Sequence, residues 1–310
     1  MAMYQQFYYP SCGPCQIHAC RWSPEGTPKA VVQIVHGVAE YAARYDHFVS
    51  WLASRGFLVV AEDHMGHGLS VSSKCPQGDF AGQWFQAVAD SHELFCQTRQ
   101  AYPQLPYILL GHSMGSFMVR TILARYPESS LSAAIISGTA WMGDGMLRMG
   151  KAASGFWGTL FGRHKPSTAL TGMIFGGYNR KFKPARTPSD WLSRDEMQVD
   201  AYVADPLCGF PVTPALLKEM MTGLQYIQQP EHLQRMNKQL PVLFVSGQED
   251  PVGDAGEGVR RAHRAFEEAG MQQATLRLYP DCRHELLNER NRDQVYADLL
   301  TWMDQLGLYD

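Results

Sequence analysis

Short, continuous apolar runs recur along this chain with amphipathic stretches between them, and that alternation restricts the fold more than any other feature. Ala30–Val35, Phe57–Ala61, Tyr107–Leu110, Leu131–Ser137, Val242–Val245 and Ala274–Tyr279 read as strands. Most are apolar at successive positions rather than alternate ones, the pattern of strands covered on both faces. Between them Ala43–Ser54, Trp84–Ala101, Met114–Tyr126, Pro214–Ile227, Ala255–Ala269 and Arg292–Gln305 read as helices, with Gly56, Pro103 and Pro127 as stop signals. Repeated strand–helix–strand order predicts a parallel sheet flanked by helices. Ahead of it, Gln5–Tyr9 and Gln16–Trp22 read as a hairpin turning at Gly13-Pro14, so a mostly parallel sheet of eight strands is expected.

The rhythm breaks between Trp141 and Phe210, a stretch rich in Gly, Met and aromatics without a convincing strand. It reads as a helical cap inserted at 141–210 into a core of 1–140 and 211–310, over the edge of the sheet where open α/β sheets bind ligands. Phe156, Trp157, Phe161 and Phe175 are its candidate substrate-pocket walls, since pockets for apolar ligands are lined mostly by apolar and aromatic side chains. From Gly145 to Ser189 there are eight basic residues and no acidic one, on a chain whose net charge is −3. This basic island predicts attraction to anionic substrates or transient contact with a lipid surface.

A weakly acidic chain argues against holding nucleic acid, which needs a broad basic surface. No apolar run reaches bilayer-spanning length, and the first ten residues lack a basic start followed by an apolar stretch. Seven scattered cysteines make a poor disulfide framework, so a reducing, cytoplasmic setting is expected. Cys12-Gly13-Pro14-Cys15 matches a redox motif, but the strand-like sequence after it favours a plain hairpin turn; with His18 and Cys20 its spacing suits no common zinc finger. Neither metal nor cofactor is called for.

Gly111-His112-Ser113-Met114-Gly115 stands directly after one predicted strand and directly before one predicted helix. In that setting the two glycines permit a tight turn that lifts Ser113 above the sheet as a nucleophile. A serine hydroxyl needs an imidazole in reach and a third group to orient it. Asp250, after the strand Val242–Val245, and His284, after Ala274–Tyr279, follow in the order serine, acid, histidine. Glu249 and Asp254 are the competing acids; His232 and His263 fall in helical stretches. The oxyanion would take backbone N–H groups from Val38, in His36-Gly37-Val38 after the first core strand, and from Met114; His36 itself is expected to anchor its loop.

His36–Tyr45, Asp63-His64-Met65-Gly66-His67-Gly68-Leu69-Ser70, Gly111–Gly115 and His284-Glu285-Leu286-Leu287-Asn288-Glu289, in this order, resemble the monoacylglycerol lipase, lysophospholipase and serine aminopeptidase-like family. The resemblance implies an α/β-hydrolase fold and hydrolysis of monoacyl esters or related lipids through an acyl-enzyme. In that family the His-Gly segment supplies an oxyanion donor and the Gly-His-Gly-x-Ser segment is structural. An acyltransferase would use the same residues; a non-catalytic ligand receptor would be expected to have lost one. An aminopeptidase would need acidic groups in the cap to hold the substrate ammonium. A serine at position 113 also disfavours the dehalogenase and epoxide hydrolase chemistries, which use aspartate there.

Overall fold

The computed structural model describes residues 3–309; the ends of the expected core, Met1, Ala2 and Asp310, lie outside the described residues. Eight strands form one sheet: β1 (Met3–Pro10), β2 (Gln16–Ser23), β3 (Ala30–Val35), β4 (Phe57–Glu62), β5 (Tyr107–His112), β6 (Ala133–Ser137), β7 (Val242–Gly247) and β8 (Ala274–Tyr279). Their spatial order is β1-β2-β4-β3-β5-β6-β7-β8. β1 pairs antiparallel with β2, and β2 antiparallel with β4; every other pairing is parallel. The hairpin and the parallel core therefore stand as the sequence predicts. β6 starts two residues later than expected, and just ahead of it the amide of Ser132 bonds Tyr107 O (2.8 Å).

The helices are α1 (Asp46–Ala53), α2 (Trp84–Ala101), α3 (Met114–Arg125), α4 (Asp144–Phe161), α5 (Thr168–Phe175), α6 (Glu196–Ala204), α7 (Pro214–Ile227), α8 (Pro230–Leu233), α9 (Glu257–Glu268) and α10 (Arg292–Gln305). Successive strand residues feed opposite faces. Val31, Val35 and Leu109 pack with Trp84 and Val88 of α2, Met118 of α3 and Phe266 of α9. Val32, Ile34, Ile108 and Leu110 pack with Phe48 of α1 and Val295, Tyr296 and Leu299 of α10. This two-sided burial is why the central strands read as unbroken apolar runs. Helices α4, α5 and α6 all fall in the stretch between β6 and α7, with α4 packed along α7. No helix among the described residues is long and apolar enough to cross a membrane.

One expectation about cysteine is corrected. Cys15, at the hairpin turn, forms a disulfide with Cys75, sixty residues along, while Cys12, Cys20, Cys96, Cys208 and Cys282 are free. Cys15 and Cys75 are far apart in sequence, and only the folded hairpin lying against the loop after β4 brings them together. A cross-link closing a loop of this length stabilises by about 4 kcal/mol through unfolded-chain entropy, and typically about 2–4 kcal/mol in practice. Cys75→Ser is therefore expected to lower the unfolding free energy by about that amount in denaturant titrations. Seven alkylatable thiols in the untreated protein, with no stability loss in the variant, would show the bond to be absent.

Candidate active site

Ser113 sits between the last residue of β5 and the first of α3, with φ 53° and ψ −120°. A side-chain-bearing residue in that region stores about 1–3 kcal/mol of strain, and such strain gathers at functional sites. The turn is tied down by Ser113 N–H to Ser137 O (2.9 Å) and Ser116 N–H to Ser113 O (2.9 Å). A methyl group on Gly115 would run into the carbonyls of Val35 and His36, and one on Gly111 into Gly115 O, so only glycine lets α3 start this close to the end of β3.

Asp250 and His284 reach the same edge of the sheet from the loops after β7 and β8. His284 Nδ1 lies 2.9 Å from Asp250 Oδ2, and both side chains are buried. Asp250 Oδ1 accepts the Val252 amide (2.8 Å), and Ser246 Oγ lies 3.3 Å from Oδ2. The competing acids Glu249 and Asp254 are exposed. His232 and His263 bond the backbone carbonyls of Tyr226 and Ala274 away from this edge. Burial works to raise the Asp250 pKa, but the charge and hydrogen bond of His284, with the Val252 amide, outweigh it and hold the carboxyl below its ordinary range. For His284 burial works downward, and Asp250, with help from Glu285 and Glu40, outweighs it and raises the imidazole above 6.5. With Nδ1 committed to Asp250, Nε2 is the ring nitrogen left free of that bond.

Gly138, at φ 59°, leaves room for the imidazole: a Cβ there would crowd His284 Cε1 and Nδ1. The ring lies between Trp191 (centroids 5.1 Å) and His112 (4.6 Å). Burial first, then the His284 charge, drives the His112 pKa down to about 3, so His112 stands beside His284 as a neutral ring.

The loop after β3 passes beside Ser113, Gly37 being close enough that a Cβ would touch the serine Cβ. His36 Nδ1–H donates to Gly37 O (2.7 Å), His36 Nε2 accepts the His64 amide (3.0 Å), and His64 Nε2–H donates back to His36 O (3.0 Å). Glu40 accepts the Gly37 amide and the Tyr45 hydroxyl. Val38 lines the cavity above Ser113, and Met114 is the first residue of α3. Arg44 forks onto Glu285 (2.7–3.1 Å), lies 3.8 Å from Glu40 and packs over the Tyr202 ring. Sequence reasoning did not single out Glu40, Arg44, Glu285 or Trp191 for the site. The first three lie inside motifs quoted above, but nothing in a motif says which charges will meet.

Ser113 and His284 open into one cavity of about 310 Å³. Its walls are Phe117, Ile174, Phe175, Phe210, Met221 and Leu224 among other apolar groups, with polar groups that include Thr171, Tyr178, Tyr202 and the carboxylates of Glu40 and Glu285. Of the four wall residues expected from sequence, Phe175 lines it and Phe156, Trp157 and Phe161 do not. That expectation is corrected: Phe156 and Phe161 point to solvent at 68% and 57% exposure, and Trp157 packs between Phe161 and the core. The buried residues of α4 are Leu147, Ser154 and Gly158: Phe156 lies on the opposite side of the helix from that face, whereas Phe161, in phase with it, is the last residue of α4, ahead of Gly162, and stays exposed.

Residues 26–291 match the family model described as serine aminopeptidase, S33. The chain belongs to the serine aminopeptidase S33 family. This S33 member is 29% identical over 283 residues to a monoacylglycerol lipase of Mycolicibacterium smegmatis, spanning 91% of this chain and 90% of the relative. It is 31% identical over 273 residues to the monoglyceride lipase of Mus musculus, covering 87% and 80%. A carboxyl esterase from Bacillus coagulans, solved with glycerol, superposes with a TM-score of 0.89 at 27% identity over 98% of both chains. The S33 chain has the α/β-hydrolase fold and is an enzyme, a carboxylic ester hydrolase.

The raised imidazole has a sign that can be read. Ester hydrolysis through a histidine base requires the neutral ring, so kcat/KM rises with pH as the proton leaves. The pH–rate profile on a soluble p-nitrophenyl ester is expected to have its acid limb centred above 6.5. A limb centred below that value contradicts the Asp250–His284 pairing as the dominant influence.

Proposed function

We propose that the enzyme hydrolyses monoacyl esters, monoacylglycerols foremost, with Ser113 as nucleophile, His284 as general base and Asp250 as the group that orients it. The observation that carries this reading is a strained serine and a carboxylate-bound imidazole opening together into an apolar cavity. Ser113 Oγ attacks the ester carbonyl as His284 Nε2 takes its proton; the alcohol leaves with that proton, and water repeats the sequence on the acyl-enzyme. The amides of Val38 and Met114 are the proposed donors to the oxyanion. The lipase relatives and the esterase neighbour support a monoacyl substrate.

Residues 141–210 are the proposed cap over a core of 1–140 and 211–310. Met146, Met149, Phe156, Leu160 and Phe161 are exposed on α4 among the basic residues of the insertion, which supports transient contact of the cap with a lipid surface. An aminopeptidase reading gains no support, because the carboxylates on the cavity wall, Glu40 and Glu285, are already engaged by the Gly37 amide, Tyr45, Arg44 and Asn288. Five free cysteines support the cytoplasm as location, with the Cys15–Cys75 bond as the observation on the other side.

Ser113→Ala is expected to fold as the wild type, to lose covalent labelling by a fluorophosphonate and to lose ester hydrolysis by roughly 10⁶-fold, as in other serine hydrolases. Retained labelling would put the nucleophile elsewhere. Acyl-chain preference tests the cavity. Each enclosed methylene contributes about 0.8 kcal/mol, so four more carbons are worth roughly 3 kcal/mol, or about a hundredfold in kcat/KM. Octanoyl esters are expected to exceed butanoyl esters by up to that factor below the micelle-forming concentration. Phe175→Ala should change the profile and Phe161→Ala should leave it as it was; an acetate-peaked profile defeats the long-chain reading.

A further inference from the structure

The loop that carries His284 is not held by the sheet alone. Residues 282–292, from the loop after β8 to the first residue of α10, run against segment 190–195, and hydrogen bonds join the two at several points. Arg283 Nη1 donates to Asp190 O (2.6 Å) and Ser193 O (3.1 Å), and the Glu285 amide donates to Leu192 O (2.8 Å). Ser193 Oγ donates to Asn288 O (2.8 Å), and Arg292 Nη1 bonds Asp195 Oδ2 (2.9 Å).

At the centre is Glu289, completely buried. Its Oε1 accepts the amides of Arg283 (2.8 Å) and Arg194 (3.2 Å); its Oε2 accepts Arg194 Nε (2.9 Å) and the Arg290 amide (3.0 Å). Arg194 also reaches Asn291 Oδ1 through Nη2 (2.8 Å). One carboxylate thus grips the residue immediately before the base and the arginine that ends the opposing segment. Trp191 of that segment lies with its ring against His284 and forms part of the cavity wall.

We propose that Arg194 and Glu289 are positioning residues for the base: through them segment 190–195 of the insertion sets where the His284 imidazole stands relative to Ser113. The inference rests on the assignment of Ser113 and His284 above. The physical ground is the steepness of proton transfer with distance. A general base works at about 2.6–3.2 Å from the heavy atom whose proton it takes, and a misplacement of about 1 Å costs on the order of a hundredfold. Arg194 is also the safer place to probe. Without its side chain Glu289 still has three backbone donors, so its buried charge stays hydrogen-bonded while the side-chain part of the tie to segment 190–195 is removed.

The test compares wild type, Arg194→Met and Arg194→Lys on p-nitrophenyl butyrate, with the second-order rate of fluorophosphonate labelling and the melting temperature measured alongside. Arg194→Met is expected to lower kcat by about ten- to a hundredfold with KM within about twofold, to slow labelling in parallel, and to be partly rescued by Arg194→Lys, which keeps the charge and loses the fork. A kcat and labelling rate within twofold of wild type, with only the melting temperature lowered, overturns the proposal. So does a rise in KM alone, which would make the segment a substrate seat. Should Arg194→Met not fold, Asn291→Ala, which removes the second partner of the guanidinium, is read by the same criteria. Ser113→Ala separates the two levels: an active, labelled Ser113→Ala protein sinks the serine reading itself, whereas an inert one beside a fully active Arg194→Met protein sinks only the clamp.

Discussion

The site depends on the close approach of the β5–α3 turn to the end of β3. Gly115 lies so near the Val35 and His36 carbonyls that a single methyl group would force the strand and the helix apart. That contact puts the first amide of α3 beside the loop that carries Gly37 and Val38. Ser113, caught between the two glycines, is left with a positive φ, and the surrounding ladder bears the strain. A parallel sheet is suited to this, because its strands are held from both faces and their carboxyl ends, those of β5, β7 and β8 among them, all open on one edge. The serine, the acid and the histidine come from those three ends.

Around this frame the site is stabilised by charges that neutralise one another out of water. Asp250 is tolerable in full burial because it has the Val252 amide on one oxygen and His284 on the other. Glu40 and Glu285 share Arg44 and so bring the loop after β3 and the residue next to His284 under one guanidinium. Removing one member of such a group leaves the others buried and unpaired, which costs more than the net worth of the pair. The arrangement also accounts for the quiet chemistry of the cavity: its carboxylates are taken, and what faces a substrate is mainly hydrocarbon.

The wall of the cavity shows where reading a sequence reaches its limit. Phe156 and Phe161 are as apolar as Phe175, and composition treats the three alike. Phe156 is turned outward by the phase of α4, whose buried face includes Gly158 close to Pro214 and the backbone of Arg163; Phe161 stays exposed at the end of that helix, and Phe175 reaches the cavity from α5. The paired cysteines show the same limit. Cys15 is half of a redox-like motif in sequence, yet its partner is not Cys12 but Cys75, chosen by the packing of the hairpin against a loop sixty residues away.

By itself the sequence determined the order of strands and helices in the core, because apolar periodicity and stop residues are local patterns, and it proposed the serine–acid–histidine series from glycines flanking a serine between a strand and a helix and from the order of the strand ends. It named Asp250 over Glu249 and Asp254 by position, and the burial of Asp250 against the exposure of the other two agrees with that choice. Only the tertiary structure decided which aromatic side chains enclose the cavity, which cysteine meets Cys15, that Arg44 reaches Glu285, and that segment 190–195 is joined to the loop of His284 through Arg194 and Glu289. These are contacts between residues tens to hundreds of positions apart. No short window of sequence contains both partners, and their meeting is settled by helix phase and loop path.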